Sequence, residues 1–130
     1  MKIALTCPAS LPATQFGGIL FLSIYIAKYL SNIGHEVTIY TSNLDFANNA
    51  STFNKKLLSQ EKIGKYFIKR THVWFSTFLF FVNPGMYKQM MNDDFDIIHA
   101  IGVRSFQAFI ATLVSKRKKI PLVISDQGGL

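Results

Sequence analysis

The chain opens on an apolar run, Lys2-Ile-Ala-Leu-Thr-Cys7, without the polar alternation of a half-exposed strand. It predicts a central strand buried on both faces, as parallel strands are. From Ile19 to Ile33 the period changes. Leu20, Ile24, Ala27 and Leu30 recur at helical spacing, and Leu22, Ile26, Tyr29 and Ile33 form a second stripe beside them, so the pattern predicts a helix covered on most sides. Gly34 can end that helix at φ > 0, and His35 to Thr41 predicts a second strand, giving a βαβ unit with a right-handed crossover.

Further along, Asn43 to Ser51 reads as a loop, and Phe53 to Ile63 as a short amphipathic helix with Phe53, Leu57 and Leu58 inward. Gly64 then precedes a strand near Tyr66 to Lys69. The run from Val73 to Val82 is the most aromatic part of the chain. It is about half the length needed to cross a bilayer, and it suits either core packing or an exposed patch that touches lipid or a partner. Asn83-Pro84-Gly85 breaks the run, and Met86 to Met91 predicts one or two helical turns. A strand over Asp96 to Ala100 leads to Gly102, Arg104 and a helix N-capped by Ser105. In that helix Phe106, Phe109, Ile110 and Leu113 follow i, i+3, i+4, i+7, which predicts that Phe109 faces the sheet and that its truncation costs about 3–5 kcal/mol. Pro121 to Ser125 is the last strand, and Asp126 to Leu130 the loop after it.

Strands separated by helices predict a three-layer, doubly wound parallel α/β sheet of about five strands. At 130 residues, with 49% apolar and 16% charged residues, the reading is one folded domain over residues 1–130. The first strand follows directly on Met1, so no signal peptide is expected and the simplest location is the cytoplasm. Cys7 is the single cysteine and reads as a small buried hydrophobe. The net charge is +7. Lys55, Lys56, Lys62, Lys65, Lys69 and Arg70 form one basic cluster and Lys116 to Lys119 another, which suit a solvated face or an anionic membrane surface. The second cluster also matches the negative end of the preceding helix. No nucleic-acid recognition motif appears.

In a sheet of this kind ligands bind beyond the carboxyl ends of the strands, where strand order reverses. The residues expected there are Gly17 and Gly18, His99, Gly102 to Ser105 with Arg104, and Asp126, Gln127 and Gly128. Gly17-Gly18 directly precedes a helix, so its amides either hold an anion such as a diphosphate or form a tight turn. No dinucleotide fingerprint stands at that corner, no G-x-S-x-G elbow occurs, and His35, His72 and His99 have no metal-ligand spacing. No metal and no bound cofactor are expected.

With these segments in order, Met1 to Pro8 with Gly17-Gly18, Ala27 to Thr41, Asp96-Ile-Ile-His-Ala100, and Pro121 to Ser125, the chain resembles the N-terminal half of the family 4 (group 1) glycosyltransferases. These are retaining enzymes with two facing Rossmann-like domains, a GT-B arrangement. The resemblance implies that Gly17 and Gly18 lie against the donor diphosphate and that His99, Arg104, Asp126, Gln127 and Gly128 face the cleft. It implies a nucleotide-sugar as co-substrate and a glycan or lipid acceptor, with the basic cluster at 55–70 facing that acceptor or the inner face of a membrane. Two positions depart from the family pattern: Ile101 stands where a second histidine is frequent, and Gln127 where many members carry histidine. A neutral amide at 127 cannot act as acid or base, so the resemblance names no catalytic residue. The nucleotide-sugar domain of the family has no counterpart in residues 1–130, which read as the acceptor-side part, inactive alone. The alternatives are a non-catalytic module that docks on a membrane or a partner, and a flavodoxin-like domain that binds a free nucleotide.

Overall fold

The computed structural model describes residues 1–11, 18–45, 52–53, 57–77, 80–102 and 105–125. Its centre is a six-stranded sheet in the order β10-β9-β1-β2-β6-β5. Strand β1 (Lys2–Thr6) lies between β2 (Glu36–Ser42) and β9 (Ile97–Ile101), parallel to both. Strands β6 (Tyr66–Thr71) and β10 (Leu122–Ser125) extend the parallel run on either side. The sixth strand, β5 (Gln60–Ile63), is antiparallel to β6.

Alternation along β1 sends Ile3, Leu5 and Cys7 to one face and Ala4 to the other. The first face packs against α1 (Gly18–Asn32), with Val37, Ile39, Tyr66 and Ile68 contributed by β2 and β6. The second packs against α2 (Gly85–Asn92) and α3 (Phe106–Lys118), through Tyr40, Met86, Met90, Ile98, Ile110 and Val114. Helices thus cover both faces of a mostly parallel sheet. Gly34 ends α1 at φ +105, as its position after the apolar stripe predicts, and Ser105 caps α3 by accepting from the Ala108 amide.

Three expectations are corrected first. The segment before Gly64 is not an amphipathic helix: β5 and β6 form a hairpin in which Ile63 pairs with Tyr66. Gly64 sits at φ +58 as the first of its two turn residues, a position where tight hairpins favour glycine. Leu58 is exposed rather than inward. The segment read as a loop from Asn43 contains β3 (Leu44–Asp45), which pairs antiparallel with β4 (Thr52–Phe53).

Helix α1 is covered on one face only. Leu20, Ser23, Ala27 and Ser31 are buried, whereas Tyr29 and Ile33 of the second stripe are exposed, as are Phe21 and Tyr25. Helix α3 faces the sheet with Gln107, Ala108, Ile110, Ala111 and Val114, and Phe109 is 55% exposed. Small residues win this contact because they let the helix backbone approach the strands closely.

The aromatic run resolves both ways. It forms a hairpin of β7 (Phe75–Thr77) and β8 (Phe80–Val82). Val73, Phe81 and Val82 are buried, while Trp74, Phe75 and Phe80 face solvent. No described helix is long and apolar enough to cross a membrane.

Candidate functional site

The chain leaves β1 through α1 to reach β2 on one side, while β9 lies on the other. Strand order therefore reverses between β1 and β9, and a crevice at their carboxyl ends is the place where sheets of this kind hold ligands. Backbone and hydroxyl contacts build its walls. Beyond β1, the Cys7 amide donates to the Tyr40 carbonyl at 3.2 Å, and Ser42 Oγ donates to the Pro8 carbonyl at 2.6 Å. Beyond β9, Gly102 takes φ +92 and its amide donates to the Ser125 carbonyl at 3.0 Å. A Cβ on Gly102 would lie 3.7 Å from Ile19 Cδ1 and 4.0 Å from Pro8 Cδ. The starts of α1 and of the post-β1 loop thus meet the end of β9.

Helix α3 is fastened to the same corner. Ser105 Oγ donates to the Gly102 carbonyl at 2.8 Å while accepting from the Ala108 amide at 3.1 Å. Gly18 opens α1 with nothing within 4 Å of an added Cβ. His99 Nε2 and Ser125 Oγ are 2.5 Å apart across neighbouring strands. Burial holds the His99 pKa below its ordinary value, so the ring is neutral at pH 7 and offers one donor and one acceptor nitrogen. Cys7 is fully buried and burial pushes its thiol up to about 11, which removes it as a nucleophile.

Beneath the rim lies a layer of buried amides and hydroxyls. Gln107 Nε2 donates to Asn83 Oδ1 at 2.7 Å and to the Phe81 carbonyl at 3.0 Å. Asn83 Nδ2 in turn donates to the Thr41 carbonyl at 3.2 Å and to Thr71 Oγ1 at 2.8 Å. This network ties α3 and β8 to the carboxyl ends of β2 and β6. Periodicity gave no hint of Gln107, a polar residue on a buried helical face. Asn83 read only as a chain breaker, although an amide just after an apolar strand was a usable signal.

Of the residues expected at the rim, Gly18, His99, Gly102 and Ser105 are described: Gly18 opens α1, His99 lies in the middle of β9, Gly102 directly follows that strand and Ser105 caps α3. Gly17, Arg104, Asp126, Gln127 and Gly128 lie outside the described residues, as do Lys55 and Lys56 of the basic cluster. The rest of that cluster does not form one surface. Lys62 and Lys65 are exposed, and Lys69 pairs with Asp93 at 2.6 Å. Arg70 is buried: it donates to the Leu11 and Leu58 carbonyls and pairs with Glu61 at 2.9 Å. Alternation along β6 sends Lys69 and Arg70 to opposite faces.

A cavity of about 660 Å³ opens at the opposite, amino edge of the sheet, lined by Lys2, Glu36, Asp94, Asp96 and Lys118 among others. Its charged groups fasten strand starts. Asp96 Oδ2 accepts from the Lys2 amide at 2.7 Å, and Lys118 Nζ donates to the carbonyls of Met90, Met91 and Asp93. Among the described residues no group of three metal-ligating side chains occurs.

Fold and rim together define an α/β protein whose mostly parallel sheet reverses strand order between β1 and β9, with the polar groups of His99, Ser105 and Ser125 near that point. No protein-family model matches the chain, and no curated protein matches it either.

Proposed function

We propose that residues 1–130 form a Rossmann-like, acceptor-side unit of a retaining transferase that moves a sugar from a nucleotide-sugar to a glycan or lipid acceptor. The sequence resemblance suggests the reaction. The observation that carries it is the approach of Pro8, Ile19 and Gly102 at one corner, with His99 and Ser125 beside it. In this reading the amides that begin α1 at Gly18 lie against the donor diphosphate, favoured by the helix dipole. His99, neutral, and Ser125 hydrogen-bond sugar hydroxyls. The resemblance assigns most donor contacts to a second α/β domain, so residues 1–130 by themselves are expected to transfer no sugar.

The test is a ¹H–¹⁵N NMR titration of the chain with uridine diphosphate and guanosine diphosphate at millimolar concentration. Shifts at Gly18, Ile19 and Gly102 support the reading. Shifts confined to Lys2, Asp94 and Asp96, around the amino-edge cavity, sink it. Tight binding of a free nucleotide by the chain alone favours a nucleotide-binding module instead, and sugar transfer by residues 1–130 alone refutes the need for a second domain.

A further inference from the structure

One outer face of the molecule combines exposed rings with charge of a single sign. Phe80 of β8 stacks edge-on against Phe106 of α3 at 6.0 Å, and Phe106 lies 6.1 Å from Phe109. The three rings make one patch that crosses from the hairpin to the helix. Phe80 is 40% and Phe109 55% exposed, and on the same hairpin Trp74 and Phe75 are 72% and 60% exposed. Two turns beyond Phe109 on the same side of α3 stands Lys116, exposed, and next to it Arg117 lies over the Tyr87 ring at 5.8 Å. Lys88 is exposed on α2.

The segments that supply this face, residues 71–92 and 105–125, contain no aspartate and no glutamate. Of the acidic side chains that follow α2, Asp93 accepts from Tyr40 and Lys69, Asp96 accepts from the Lys2 amide, and Asp94 lines the cavity at the amino edge. A protein partner would have to bring a complementary acidic patch. Exposed Phe rings beside unopposed cations match the headgroup region of an anionic bilayer, where the rings enter the interface and the cations meet the negative surface potential. The aromatic stripe of α1, with Phe21, Tyr25 and Tyr29 exposed, has a single cation, Lys28, within the helix itself. It lacks that match.

We propose that the outer face of α2, α3 and the β7–β8 hairpin docks the protein on an anionic phospholipid bilayer, with Phe75, Phe80 and Phe109 as anchors and Lys88, Lys116 and Arg117 as the electrostatic contact. This does not depend on the transferase reading, and it moves the membrane-facing surface away from the basic cluster at 55–70.

The test is co-sedimentation with vesicles of phosphatidylcholine alone and of equal parts phosphatidylcholine and phosphatidylglycerol, followed by the fluorescence of Trp74, the single tryptophan. Binding to the mixed vesicles with a blue shift, weakened by salt and absent with phosphatidylcholine, is expected. Lys116→Glu with Arg117→Glu should weaken partitioning roughly 25-fold or more, each cation near such a surface contributing about fivefold. Lys62→Glu with Lys65→Glu changes the net charge equally and should leave most of the binding. Phe109→Ser should weaken it, and Tyr25→Ser on α1 should not. Circular dichroism checks that each variant is folded. The proposal fails if the wild type ignores mixed vesicles, if both charge pairs act alike, if Tyr25→Ser abolishes binding, or if Trp74 shifts through self-association without vesicles.

Discussion

Replacing Ile110 and its neighbour Phe109 separately by alanine tests which face of α3 meets the sheet. Ile110 is 4% exposed and packs in the cluster with Ala4, Met86, Met90, Ile98 and Val114. Truncation to alanine removes three carbon atoms, about 2.4 kcal/mol at roughly 0.8 kcal/mol per buried methylene. The cavity left between helix and strand adds to this, because close-packed neighbours relax only in part, and brings the cost to about 3–4 kcal/mol. Phe109 is larger but more than half exposed, and its ring contact is to Phe106. Losing that contact should cost about 0.5–1 kcal/mol. Urea unfolding followed by far-ultraviolet circular dichroism measures both, provided the slopes match the wild type. If Phe109→Ala is as damaging as Ile110→Ala, the helix is rotated from the orientation described and the outer aromatic patch does not exist.

Three further outcomes follow from the rim. Ser105→Ala removes both the cap on α3 and the hydroxyl that holds the Gly102 carbonyl, and should lower stability by about 1–2 kcal/mol in the same urea assay. Cys7, buried with its thiol pushed up to about 11, should resist a thiol reagent at pH 8 in the native protein and react fully in denaturant. The folded-state pKa of His99 is lowered by burial from 6.5, so the unfolded chain binds the proton more readily. Stability should be full above pH 6.5 and decline as pH falls through the lowered value. His99→Gln should flatten that part of a plot of urea midpoint against pH, and an unchanged slope would show that another group titrates.

The parallel core was legible because its strands are short, nearly uncharged and apolar at most of their buried positions. Lys2 to Thr6, Glu36 to Ser42 and Ile97 to Ile101 all stand within one or two residues of where hydropathy puts them. Two kinds of element were not. The β5–β6 hairpin is half exposed, and Leu57 and Leu58 imitate a helical face; the signal that outweighs them is Gly64 followed by a single residue before Tyr66, a two-residue turn. On α3 the stripe of large apolar residues is split, with Phe109 on the outer side and Ile110 on the inner, which Ala108, Ala111, Val114 and Gln107 complete; the Gln107 amide nitrogen donates to Asn83 and Phe81. Hydropathy ranks such a residue as surface, since its partners come from distant parts of the chain. At the rim, the position of Gly102 was legible from its place after a strand, and that of His99 from its place within one. The pairing with Ser125 was not, since it requires knowing that β10 lies beside β9.

Buried polar groups at the carboxyl edge carry a cost that bears on function. Thr6 is fully buried in the last position of β1, in register with Tyr40 and Ala100, and its hydroxyl has no hydrogen-bond partner among the described residues. Ser10 Oγ and Gln107 Oε1, also buried, share that condition. An unsatisfied buried hydroxyl costs about 1–3 kcal/mol, so selection for stability alone would favour an apolar residue of the same shape. Valine is nearly isosteric with threonine. Thr6→Val should therefore leave the fold intact and raise stability by about 1 kcal/mol in urea unfolding, as substitutions do where a site has kept groups that stability does not need. If it instead lowers stability by a similar amount, the hydroxyl is bonded in solution and the polar layer is structural. A gain in stability joined to weaker shifts of Gly18 and Gly102 in the diphosphate titration would tie the layer to the ligand and not to the fold.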